Sequence, residues 1–136
     1  MPPPSSPPST WQAKAATKRA ALAGSLPPGS LLPPNLLPPA LPPNASVLDL
    51  PATSGLLSPL QICITDQTDP SRTLAKLRTG ELSSAEVCEA FLVRAAIAQQ
   101  ATGCLTEFLA DRARRRAAEL DKTLKETGEV SGPLHG

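Results

Sequence analysis

Between Ser83 and Gly103 the stretch SSAEVCEAFLVRAAIAQQATG places apolar residues at helical spacing. At about 100° per residue Val87, Cys88, Phe91, Leu92, Ala95 and Ala98 fall on one broad stripe, with Glu86, Glu89 and Gln100 opposite. Ser83 and Glu86 have capping-box spacing, in which each side chain satisfies a backbone donor of the other residue, and Gly103 marks the end. The pattern predicts an amphipathic helix that needs a partner surface. A second helix is predicted from about Asp111 to Thr127, with a narrower face of Ala113, Ala117, Leu120 and Leu124. Its other faces pair charges at i,i+4 (Arg115 with Glu119, Asp121 with Lys125, Lys122 with Glu126), and Gly128 ends it. Between the two, CLTEFLA is short and apolar, and predicts a strand or an extended passage.

Upstream, two shorter helices announce themselves by proline at the first helical position. Proline lacks the amide hydrogen that would go unpaired there in any case. SPLQICIT has Ser58 as cap and Pro59 behind it; TDPSRTLAKLRTGEL has Asp69 as cap, Pro70 behind it, Leu74 and Leu77 on one face, and Gly80 as terminator. Nearer the start, TWQAKAATKRAALAGS is rich in helix formers, with Thr10 able to cap and Gly24 able to stop. It is followed by leucines beside paired prolines at Leu26, Leu32, Leu37 and Leu41. The prolines impose polyproline II geometry, and leucines would be wasted in a solvated linker, so this is expected to be an extended arm laid over a folded body. MPPPSSPPS, residues 1–9, can form neither helix nor ladder and is expected to be disordered or extended.

Composition sharpens this division. Thirteen of the 17 prolines precede Asn44, so the first third and the rest belong to different classes. The expected organisation is a Pro/Ser-rich tail over 1–9, a short helix and Leu-Pro-Pro arm over 10–57, and a helical body over 58–136. The chain is thus mostly α, a helical jacket with an extended arm, and its apolar faces exceed what they can hide against one another. With Trp11, Phe91 and Phe108 as the only aromatics, core material is thin.

Charge and cysteine usage exclude several classes. A net charge of +1 offers no field to draw nucleic acid or an anionic membrane. Arg112 to Arg116, RARRR, is the one basic cluster and is expected to be a solvated helix face. Cys63, Cys88 and Cys104 are odd in number and have no CxxC, so they predict buried free thiols rather than disulfides or a zinc site. No signal peptide or membrane-length apolar run is present, so the expected compartment is the cytoplasm. No nucleophile and base can be assembled: the single histidine, His135, reads as a turn residue, and neither Ser-x-x-Lys, Gly-x-Ser-x-Gly nor a phosphate loop occurs. No catalytic, cofactor-binding or metal-ligating residue is assigned.

The blocks RTLAKLRTGELSSAEVCEAFLVRAAIAQQATGCLTEF, RAAELD, TG and GPLHG, preceded by WQAKAATKRAALAGSLPP and SGLLSPLQICITD, occur in this order. Together they resemble the amino-terminal part of the amidase signature family, in particular its fungal acetamidase-like and general amidase members. The resemblance covers about Trp11 to Gly136. It implies a whole protein with an α/β/α sandwich around a large mixed sheet. Such a protein hydrolyses a small carboxamide to carboxylate and ammonia through an acyl-serine, without metal or other cofactor. In the family Gly-Pro-Leu-His-Gly is followed at once by the strand bearing the catalytic lysine, and the cis-serine and nucleophilic serine lie further on. None of the three falls within Met1 to Gly136, so the resemblance implies a chain truncated before the catalytic core and inactive alone. Docking to the missing core or to a paralogue is the implied partnership. Gly103, Gln99, Arg114 and Arg115 depart from the family, which usually has asparagine, histidine, leucine and alanine there; the two arginines are expected to extend from a solvent-exposed turn.

Two further expectations follow. A rival class is a helical interaction module whose arm, with PALP at Pro39 to Pro42, is read by a polyproline-binding domain. A jacket without its sheet is also expected to keep helix, expose apolar surface and unfold without cooperativity.

Overall fold

The structure, a computed structural model, describes residues 10–135. The tail over 1–9, expected to be disordered, and Gly136 lie outside the described residues. Six α-helices follow in order: α1 (Thr10–Gly24), α2 (Leu50–Thr53), α3 (Pro59–Thr65), α4 (Pro70–Thr79), α5 (Ser84–Thr102) and α6 (Ala110–Thr127). Single 3₁₀ turns occupy Pro34–Leu36 and Pro38–Ala40, and among the described residues there is no β-strand. Residues 104–109 join α5 to α6 without regular structure, with a bend at Thr106.

Local chemistry accounts for most of the boundaries. Ser58 and Gln61 form a capping box at α3, with Pro59 at the first position. Asp69 accepts the Ser71 amide to start α4. Helices α4, α5 and α6 stop at Gly80, Gly103 and Gly128, which have φ of 74°, 64° and 71°, a left-handed region that side chains with a Cβ rarely adopt. Thr10 is the first residue of α1 rather than a cap, and Gly24 is its last. Helix α1 buries none of its residues; the Lys18 ammonium meets the Glu107 carboxylate at 2.7 Å, tying it to the 104–109 passage.

Helix α5 is the centre of the packing. Ile64, Leu77, Leu82, Val87 and Ala90 form one buried cluster, with Leu74 against it. Leu32, Leu50, Leu57 and Ile97 form another, against which Leu36, Leu37, Val47, Ile62 and Val93 pack. Helices α3, α4 and the arm therefore cover one side of α5 along its length. Arg94 of α5 also donates to Asp66, and to the Thr65 hydroxyl at 2.8 Å.

The arm differs from a continuous polyproline II segment. Pro33, Leu37 and Leu41 keep extended angles (ψ near 145–149°), but the two 3₁₀ turns between them fold the chain back. Gln100, expected on the polar face, pins the arm instead. Its Nε2 donates to the Ser30 carbonyl at 2.8 Å and its Oε1 accepts the Leu32 amide at 2.9 Å. Helix α2 went unanticipated although Asp49-Leu50-Pro51 offers the device used at Ser58 and Asp69. There the proline lies one residue further in, and no side-chain hydrogen bond caps the turn.

The join of α5 to α6 uses charge in a way that i,i+4 spacing missed. A helix start leaves four amides without intrahelical acceptors. At α5 the Glu86 carboxylate takes the Ser83 amide at 2.8 Å and the Ser83 hydroxyl takes the Glu86 amide at 3.1 Å. The other two, from Ser84 and Ala85, go to the Asp121 carboxylate of α6 at 2.6 and 3.0 Å. Asp121, expected to pair with Lys125, is thus a cap supplied from another helix. Its negative charge sits at the positive end of α5. Further along, Arg114 binds Glu89 through two nitrogens at 2.9 Å each. Arg114 was expected in solvent; it is part-buried because α6 runs antiparallel to α5 and brings it opposite Glu89. We predict that Asp121→Ala, which orphans two amides at a cost of about 1 kcal/mol, accelerates hydrogen exchange at Ser84 and Ala85. Exchange at Ser83 and Glu86, which keep their local partners, is expected to change less.

Candidate functional site: the apolar groove of α5 and α6

Opposite the buried clusters, α5 turns a second apolar face outward. Cys88, Phe91 and Leu92 from α5 face Ala113, Ala117 and Leu120 from α6 across an open groove. The alanines keep the α6 wall low, so the groove is not filled by this chain's own side chains. Phe91, predicted on a stripe needing a partner, is 50% exposed. Val87, predicted on the same stripe, is buried toward Ile64 and Leu77. Val87, Cys88, Phe91, Leu92 and Ala95 of the predicted stripe all line the groove, Val87 at its inner edge, and the covered face of α5 is a different one that carries Ala90, Ala96 and Ile97.

The polar groups around the groove are already paired. Arg116 on its rim lies 3.3 Å from Glu119, and hydrogen bonding to Glu89 holds the Arg114 guanidinium above its ordinary pKa. The basic cluster is therefore divided: Arg114 and Arg116 have carboxylate partners, and Arg112 and Arg115 are exposed. Burial, and secondarily the Glu89 charge, pushes the Cys88 thiol up, against the smaller opposing effect of Arg114. The expectation of buried thiols fails: Cys63 and Cys104 are exposed and Cys88 is half-buried. Cys63 sits on the outer side of α3, whose inner side presents Ile64, and Cys104 follows the Gly103 stop.

His135 is a turn residue, and it is also buried at 5% exposure. Its Nδ1 accepts the Ser131 amide at 3.1 Å and its own amide donates to the Gly132 carbonyl at 3.2 Å. This network assigns the proton of the neutral ring to Nε2, which is buried without a hydrogen-bond partner among the described residues. No group of three His, Cys, Asp or Glu side chains able to hold a metal occurs among the described residues. No helix there is long and apolar enough to cross a membrane.

Similarity to known proteins gives this groove a context. The chain is 42% identical over 129 residues to the acetamidase of Emericella nidulans, covering 95% of this chain and 22% of that protein. To the acetamidase of Aspergillus oryzae it is 38% identical over 130 residues, 96% of this chain and 23% of the relative. Among solved structures it superposes on fatty acid amide hydrolase with a TM-score of 0.79 and 32% identity, over 93% of this chain and 22% of that one. The chain belongs to the amidase signature family. No protein-family model matches it. It spans less than a quarter of the length of each of these amidases, and its helices are those of a fragment of that fold.

The four positions expected to depart from the family, Gln99, Gly103, Arg114 and Arg115, lie at the end of α5 and on α6. The Gln99 Oε1 accepts the Leu105 amide at 2.6 Å, holding the passage against the helix end, while Gly103 adopts the left-handed turn and Arg114 clamps Glu89. Arg115 is exposed, as expected, but from within helix α6 rather than from a turn. We expect Cys63 and Cys104 to alkylate rapidly with iodoacetamide at neutral pH and Cys88 several-fold more slowly, since the thiolate is the nucleophile and Cys88 is held protonated. Peptide mapping of a timed reaction checks the order.

Proposed function

We propose that this chain is the amino-terminal helical segment of an amidase that hydrolyses a small carboxamide to carboxylate and ammonia, and that it has no hydrolytic activity by itself. The observation that carries this reading is the pairing of extent with exposure. Nearly the whole chain matches acetamidases, yet it matches less than a quarter of them, and its α5–α6 face is left uncovered. The resemblance implies a lysine, a cis-serine and a nucleophilic serine, and none of them maps onto residues 1–136. The role of this chain is then structural: α5 and α6 form one wall against which the catalytic sheet packs, while the arm and α3 brace α5 from behind.

The rival reading, an arm presented to a polyproline-binding domain, is disfavoured by two features. Leu32 is buried and Leu36 and Leu37 pack against the cluster at Ile97, so the arm's anchors are occupied. The PALP segment is interrupted by the 3₁₀ turn over Pro38–Ala40, whereas such ligands are read as unbroken polyproline II.

Two measurements test the proposal. Purified chain is expected to release no ammonia from acetamide above a no-protein control, whereas a chimera in which it replaces the matching stretch of the Emericella nidulans acetamidase is expected to hydrolyse acetamide. Serine-dependent turnover by the chain alone, or a folded but inactive chimera, would count against it. On heating, the isolated chain is expected to lose its circular dichroism gradually and to bind a hydrophobic dye before melting; a sharp two-state transition in a monodisperse monomer is the contrary result.

A further inference from the structure

We infer that α1 is a hinged strap, closed over the cleft beside the start of α6 by one ion pair and able to swing off it about residues 24–26. The helix rests on the body without packing into it. None of its 15 residues is buried, and only Ala15 and Leu22 are half-buried. A gap of about 210 Å³ remains between Ala21 and Leu22 on one side and Phe108 and Leu109 on the other. Apolar burial therefore contributes little to holding α1 down. Among the described residues the one salt bridge between α1 and the body joins Lys18 to Glu107 at 2.7 Å, with both side chains more than half exposed. An exposed pair of this kind is weak and is screened by salt.

The hinge follows from what lies on either side of it. Past α1, Pro27 and Ser30 are buried and the Ser30 carbonyl accepts from the Gln100 Nε2 at 2.8 Å, so the arm is a fixed end. Before that end the backbone is held by local turn bonds, the Ser25 amide donating to the Leu22 carbonyl at 3.1 Å and the Leu26 amide to the Ala23 carbonyl at 3.5 Å. Phe108 and Leu109 line the gap under α1 and also a neighbouring cleft of about 480 Å³, together with Arg112 and Arg115 at the start of α6. Swinging α1 away merges the two openings and uncovers Phe108, which the closed strap leaves half-buried. The strap thus controls access to an apolar floor edged by two exposed arginines.

Trp11, the single tryptophan of the chain, lies on α1 and is 66% exposed, so its fluorescence reports on this helix alone. In the full chain its anisotropy is expected to decay mainly with the tumbling of the whole molecule at low ionic strength, and to gain a fast component in about 0.5 M sodium chloride. Glu107→Gln is expected to raise the amplitude of the fast component about two- to fivefold at low salt, and the charge swap Lys18→Glu with Glu107→Lys to restore the slow decay. Lys14→Gln, which removes a cation of the same helix that forms no salt bridge among the described residues, is expected to change nothing. Limited trypsin digestion separates the strap from the rest of the chain. In Glu107→Gln, cutting after Lys14 and Arg19 is expected to speed up by a similar factor, while cutting after Arg94 of α5 keeps its rate. A fast component indifferent to salt and to Glu107→Gln, a swap that restores nothing, or cutting at Arg94 that rises in step with Arg19 would each overturn the inference.

Discussion

Two unpaired amides at the start of α5 are the constraint around which the rest is arranged. A helix of 19 residues placed in the middle of a packed layer cannot leave Ser84 and Ala85 without acceptors, and Ser84 is itself buried. Asp121 supplies both acceptors from α6, so satisfying the end of one helix also fixes the position of the next. The Arg114–Glu89 pair then sets the angle farther along. Both side chains are more than a third exposed, so the pair adds at most about 1 kcal/mol and acts mainly through its two-point geometry.

Once α6 is placed, α5 has one side free and one side claimed. The claimed side collects Val87, Ala90, Val93 and Ile97 beneath α3, α4 and the arm, and Gln100 closes it by holding the arm's backbone at Ser30 and Leu32. Gln100 shows why an arm of prolines needs a polar fastener. Proline gives up its amide donor, and the amides of Leu36, Leu37, Ala40 and Leu41 close turns within the arm, whereas that of Leu32 finds its acceptor outside it, on Gln100. The free side, with Phe91 at its centre, is what remains of an apolar helix that this chain can cover only by half.

That incompleteness joins the physics to the family. Phe91 stays half exposed above a groove whose opposite wall, Ala117 and Leu120, is buried. The chain matches less than a quarter of an acetamidase, and on the reading proposed above the same surface would be an internal face of the whole enzyme.

Most starts and stops of α3, α4, α5 and α6 were legible without any tertiary information, because they depend on residues within four positions of one another. Ser58 with Gln61, Ser83 with Glu86, Asp69 before Pro70, and the glycines at 80, 103 and 128 all act locally. The family was legible for a related reason: ordered blocks such as SSAEVCEAFLV and GPLHG are properties of the string itself. What only the tertiary structure decided were the choices among several chemically adequate partners. Asp121 could serve Lys125 on its own helix or the amides of α5. Gln100 could face water or the arm, and α5 could bury its Phe91 half or its Ile97 half. Each was settled by which neighbour arrives, from 36 to 70 residues away along the chain, and helical periodicity contains no term for that distance.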